Sequence, residues 1–114
     1  MKRISTHVLD VSQGQPARDV AVRLERRENT GNWVALGSAR TDADGRCAQL
    51  LPSDDALRAG LYRLSFDTAG YHYEQKVKGL YPVVEVTFQV QEGESQFHIP
   101  LLLSPHGYTT YRGS

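Results

Sequence analysis

The sequence predicts an all-β chain: a two-sheet antiparallel β-sandwich of about eight short strands with one short helix, a single domain over residues 1–114. Three observations predict it. Apolar side chains recur at every second position in several segments, which is the period of a half-buried strand. Clusters of Gly, Pro, Asp and Ser separate these segments at short intervals. Only one stretch, after Phe66, carries a helix-start signal.

Ile4 to Leu9 alternates and ends at Asp10, ahead of the turn-rich Ser12-Gln13-Gly14-Gln15-Pro16. Val20, Val22 and Leu24 share one face of the next strand, with Ala21, Arg23 and Glu25 opposite. Arg26-Arg27-Glu28 reads as its solvated end. Trp33 to Ala39 is a third strand, and Asp42-Ala43-Asp44-Gly45 is a turn with Gly available for positive φ. Arg46 to Leu50 makes one short strand before Pro52 stops it.

Leu61 to Phe66 puts Tyr62, Leu64 and Phe66 on one face. Asp67-Thr68 caps a brief helix running through Tyr73 to Lys78, with His72 expected on its surface. Val84, Val86, Phe88 and Val90 alternate with Glu85, Thr87 and Gln89. Phe97 to Leu103 follows, then a tight turn at Ser104-Pro105-His106-Gly107, then a segment from Tyr108 onward.

Parity along two of these strands bears on function. In Phe97 to Leu103 the odd positions are all apolar and face the core, so His98, Pro100 and Leu102 point outward. In the first strand Ile4, Thr6 and Val8 pack inward while Ser5, His7 and Leu9 point out. Two histidines and two leucines on outer faces fit a face covered by another subunit, or an ordinary surface.

Thirteen Lys and Arg balance thirteen Asp and Glu, which removes the basic footprint of a nucleic-acid binder. No apolar run approaches the roughly 20 residues that span a bilayer. Met1 to His7 lacks a hydrophobic signal segment, and Tyr111-Arg112-Gly113-Ser114 is not a peroxisomal tripeptide. A lone cysteine, Cys47, forms no internal disulfide. The expected setting is cytoplasmic. Neither a phosphate-cradling glycine loop nor a Gly-x-Ser-x-Gly elbow is present.

Three stretches point one way: Ile4-Ser5-Thr6-His7-Val8-Leu9-Asp10 with Gly14-Gln15-Pro16-Ala17; Thr41-Asp42-Ala43-Asp44-Gly45-Arg46; and Phe97 through Ser114, ending Tyr111-Arg112-Gly113-Ser114. Together they resemble the 5-hydroxyisourate hydrolases, the transthyretin-like enzymes of purine catabolism, over essentially the whole chain. The resemblance implies a transthyretin-like sandwich and a homotetramer with its sites where two dimers meet. It also implies metal-free hydrolysis that opens the six-membered ring of 5-hydroxyisourate. The family's histidines fall on His7 and His98, its arginine on Arg46, and its final tyrosine and serine on Tyr111 and Ser114. His7, Arg46, His98 and Ser114 are thereby the implied catalytic residues, and His7, Arg46 and Tyr111 the implied substrate contacts. Departures are small: His106 stands where an aromatic residue is common, and Ser5 and Thr110 are mild variants.

The residue types suit that chemistry. Ring opening needs a deprotonated water, an acid for the leaving nitrogen and a donor for oxyanion charge. Histidine suits the first two tasks because its unperturbed pKa is about 6.5. Which histidine takes which task stays open in the sequence. Arg46 brings a permanent cation and a planar fork for a carbonyl-rich ring. Tyr111 offers a hydroxyl and a ring face, and Ser114 a hydroxyl and a terminal carboxylate. Arg112 is assigned to holding the terminus through an ion pair across subunits. His7, His98 and His106 are enough donors for zinc, but no metal-ligand spacing appears, so neither a metal nor a cofactor is expected. Beside Arg46, Cys47 has a slightly lowered pKa or is simply a packed strand residue. A non-catalytic small-ligand carrier of the same fold is the competing function, because fold alone does not decide between them.

Overall fold

The computed structural model describes residues 1–114. Alternation in the sequence becomes two sheets that share one core. The strands are β1 (Arg3–Asp10), β2 (Gln15–Pro16), β3 (Ala21–Arg27), β4 (Trp33–Arg40), β5 (Arg46–Cys47), β6 (Gly60–Phe66), β7 (Val84–Val90), β8 (Gln96–Ser104) and β9 (Gly107–Thr110). One helix, α1 (Thr68–Glu74), lies between β6 and β7, and a 3₁₀ turn spans Asp54–Ala56. The first sheet runs β2-β1-β8-β9, with β5 also paired to β1; the second runs β4-β3-β6-β7.

Between the sheets lie Ile4 and Val8 of β1, Val22 and Leu24 of β3, and Tyr62, Leu64 and Phe66 of β6. Val84 and Val90 of β7 and the odd-numbered Phe97 to Leu103 of β8 complete that interior. Inward parity is thus as the sequence predicts for β1, β6 and β8. Each fully buried side chain of this kind contributes about 1.5–3 kcal/mol of transfer free energy.

Five local expectations are corrected. The nine strands agree with the expected count of about eight, but β1 pairs with β8 in parallel, from Arg3 opposite Gln96 to Asp10 opposite Leu103. A parallel pair needs a long crossover, and the entire second sheet supplies it. β5 covers only Arg46–Cys47 because the Gln49 side chain takes over beyond it. Its Oε1 accepts from the amides of Ile4 (3.2 Å) and Leu51 (3.0 Å), and its Nε2 donates to the Lys2 carbonyl (2.7 Å).

The helix is capped as expected, with Asp67 Oδ1 accepting from the Gly70 amide at 3.0 Å. It ends at Glu74, short of Lys78, because Lys76 turns to φ 59°, which no helix continues. His72 does not lie on the helix surface: it is 4% exposed, and its ring packs against Gly79. Arg26 is likewise not a solvated strand end. Its Nη1 donates to the Ala56 carbonyl at 2.8 Å and its Nη2 pairs with Glu28 at 3.2 Å.

Candidate active site

β1 lies at the centre of the first sheet, and its outward face collects side chains from both neighbours. His7 stands opposite Arg46 of β5, and Ser5 stands opposite His98 of β8. Directly opposed residues share a face, so Arg3, Ser5, His7, Arg46 and His98 form one outward set. After β9 the chain continues antiparallel beside β8 in the same register. Gly113 bridges to His98, its amide donating to the His98 carbonyl at 2.7 Å.

The resulting cavity, about 690 Å³, is lined by Arg3, Ser5, Arg46, His98, Arg112 and Ser114 among others, with no Asp or Glu side chain. Arg112 is held in place. It pairs with Glu94 at 3.0 Å, donates to the Gln96 carbonyl at 3.2 Å and stacks 4.5 Å over the Phe97 ring. This pairing is made within the chain. The guanidinium groups of Arg3 and Arg46 make no hydrogen bond or ion pair within the chain, which leaves a cationic cavity ready for a carbonyl-rich or anionic guest.

The turn before β5 sets the Arg46–His7 pair. Asp42 Oδ1 accepts from the amides of Asp44 and Arg46, both at 2.9 Å. The Arg46 amide bond is the main cause that holds the Asp42 carboxyl below its usual range, against the pull of burial. Gly45 adopts φ +80° beneath β1, where a β-carbon would strike the Val8 carbonyl oxygen. His7 Nε2 donates to the Asp44 carbonyl at 2.8 Å. One four-residue turn thereby orients both the ring and the guanidinium-bearing residue.

On the other side of β1, His98 Nδ1 lies 2.8 Å from Ser5 Oγ. Burial, followed by the charges of Arg46 and His7, holds the His98 pKa below the usual histidine value. The ring therefore stays neutral at neutral pH.

The structure brings Arg46, His98 and Ser114 together around the cavity; His7 stands opposite Arg46 on the same face but is not among the lining residues. It does not bring Tyr111 there. Tyr111 is 54% exposed and borders a separate depression with Val86, Phe88 and Thr110. Arg3, Ser5 and Gly113 are the residues the sequence reading left without a role. Parity on β1 was the available signal for the first two, since they alternate with Ile4 and Thr6 just as His7 does. Cys47 is buried opposite Thr6, and burial, with Asp42 adding, pushes its thiol up to about 11. Of the two readings of Cys47, the packed strand residue holds, and the lowered thiol does not. No three His, Cys, Asp or Glu side chains converge as a metal-ligand group, and His106 sits in the turn between β8 and β9.

Residues 4–113 match the HIUase/Transthyretin family. The chain is 45% identical to the 5-hydroxyisourate hydrolase of Mus musculus, covering 97% of this chain and 94% of that one. Among solved structures it is similar to Klebsiella pneumoniae 5-hydroxyisourate hydrolase, with a TM-score of 0.86 and 35% identity over all of both chains. It is also similar to sea bream transthyretin in complex with thyroxine, with a TM-score of 0.92 and 33% identity over 97% of this chain and 94% of that one. A sandwich shared with both, and sequence agreement from the first strand to the segment that caps His98, lead to one statement: this chain belongs to the HIUase/Transthyretin family.

Proposed function

We propose that this chain hydrolyses 5-hydroxyisourate to 2-oxo-4-hydroxy-4-carboxy-5-ureidoimidazoline, a step of urate catabolism. The observation that carries the reading is two histidines and an unpaired arginine on one sheet face, where Arg46 and His98 line a cavity with no acidic side chain. Hydrolysis of a cyclic acyl–nitrogen bond places negative charge on the carbonyl oxygen in the transition state. The fork of Arg46 suits that charge, and no Asp or Glu side chain of the chain pairs with it. A neutral histidine near the water supplies the base.

The carrier reading shares the fold, as the likeness to a thyroxine-bound transthyretin illustrates. A carrier channel has no use for paired titratable rings beside a free guanidinium, so the site favours the enzyme. The homotetramer belongs to the same proposal. Its support is that Leu9 and Leu102 oppose each other half-buried on the outward face, and that β7 and β9 end their sheets. An assembly on this face would also be needed for Tyr111 to approach a cavity. The cytoplasmic setting, supported by the lone Cys47 thiol, is proposed with it.

The test is spectroscopic. Freshly generated 5-hydroxyisourate should disappear faster with the protein than by spontaneous decay, in proportion to enzyme added. Decay unchanged by micromolar protein overturns the proposal, and a monomer in light scattering overturns the tetramer. Activity lost to a chelator and restored by zinc would overturn the metal-free mechanism.

A further inference from the structure

The imidazoles of His7 and His98 each commit one ring nitrogen to the protein. For His7 it is Nε2, 2.8 Å from the Asp44 carbonyl oxygen. A carbonyl only accepts, so this nitrogen carries a hydrogen. In the neutral ring the lone pair then sits on Nδ1.

For His98 the committed atom is Nδ1, 2.8 Å from Ser5 Oγ. A hydroxyl bonds either way, and burial decides between the two. Ser5 is 8% exposed and its hydroxyl has no second partner in the chain. If Nδ1 donated, the serine O–H would be left with no partner in the chain, on a residue that exposes only 8% of its surface, to the cavity. If the serine donates, every hydrogen is used. His98 Nδ1 is then the acceptor and Nε2 carries the ring proton. Nε2 has no partner in the chain and is not shut off from solvent. The backbone of Gly113 lies beside its Cδ2 edge and limits rotation on that side.

We propose that Ser5 is a positioning residue: its hydroxyl donates to His98 Nδ1 and fixes the tautomer that presents Nε2–H to the cavity, so that His98 polarises the substrate carbonyl and His7 is the base. This rests on the hydrolase reading. His7 Nδ1 takes a proton from water as the water oxygen bonds to the carbonyl carbon, and the carbonyl π pair moves to its oxygen. Arg46 and His98 Nε2–H hold that oxyanion. Collapse reforms the carbonyl and breaks the carbon–nitrogen bond, while the proton on His7 passes to the leaving nitrogen. The new acid then ionises. A neutral imidazole that surrendered Nε2–H outright would become an imidazolate, so His98 donates a hydrogen bond and keeps its proton.

Two measurements test this. Nitrogen-15 NMR of the free protein at neutral pH should show His98 with Nε2 protonated and Nδ1 bare. In Ser5→Ala that single tautomer should give way to a mixture. In the hydrolase assay Ser5→Ala should lower kcat by about 10- to 100-fold with KM little changed, and Ser5→Thr, which keeps the hydroxyl, should restore it. An Nδ1–H tautomer in the wild type overturns the proposal, as does wild-type kcat in a folded Ser5→Ala protein. Wild-type protein with no activity would sink the hydrolase reading instead, and the NMR result would still decide the role of Ser5.

Discussion

The backbone of Gly113 lies against the imidazole of His98. A β-carbon at Gly113 would stand 2.6 Å from His98 Cδ2, while the glycine amide donates to the His98 carbonyl at 2.7 Å. Such a β-carbon must move either the ring or the chain segment that covers it. Gly113→Ala should therefore lower kcat/KM by about 10²-fold, the scale of an ångström of misplacement. Its Tm should change little, since Gly113 lies outside the core cluster. Steady-state kinetics beside a thermal melt checks both, and wild-type kinetics would show that the contact is slack.

Arg46→Lys separates charge from geometry. The guanidinium makes no bond within the chain, so the substitution should leave the fold and Tm alone. Losing the fork should lower kcat by about 10²–10³, the usual worth of an oxyanion donor, and raise KM as well. Steady-state parameters read both effects. An unchanged kcat would remove Arg46 from the oxyanion.

His98 links stability to pH with a defined sign. Its pKa is held below the usual 6.5 by burial, then by Arg46 and His7, so on acidification the unfolded chain takes up this proton first. The stability tied to His98 is therefore fully present above about pH 6.5 and lost as pH falls through the lower native value. Asp10 acts in a separate, more acidic window. Burial alone would raise its pKa, but hydrogen bonds from Ser12 and Tyr71 outweigh it and hold the carboxyl below 3.8. Urea unfolding across pH 4.5 to 7.5 should show stability rising with pH, and less steeply in His98→Asn. Equal slopes in the two proteins would contradict this account.

Cys47 should be inert in the folded protein. The thiol is buried and pushed up to about 11, so almost none is thiolate at neutral pH. Iodoacetamide at pH 7.5 should leave Cys47 unlabelled and activity intact, with labelling only after unfolding. Mass spectrometry reads the outcome directly, and rapid labelling of the native protein would refute it.

Much of the fold was legible because strand parity is local. The alternation of Tyr62, Leu64 and Phe66, or of Phe97 to Leu103, assigns faces without knowledge of which strand lies beside which. Asp67 capping the helix, and the Asp42 to Gly45 turn, were legible for the same reason: their hydrogen bonds close within a few residues. The end of the helix was not. Lys76 adopts φ 59°, which its residue type disfavours and only its surroundings impose. His72 was misplaced because a helix of seven residues has no room to reveal its buried side by period.

By itself the sequence determined that this chain alternates into a sandwich, that His7 and His98 face away from the core, and, through its three motifs, which family it resembles. What only the tertiary structure decided is how those residues meet. The parallel β1–β8 register sets Ser5 against His98, and the β1–β5 register sets His7 against Arg46. Tyr111 was drawn from the same closing motif as Ser114, yet the two line different depressions. The physical reason is range. Parity and caps are set by neighbours in the chain, whereas register between β1 and β8 joins residues about ninety positions apart and depends on how the whole core packs between them.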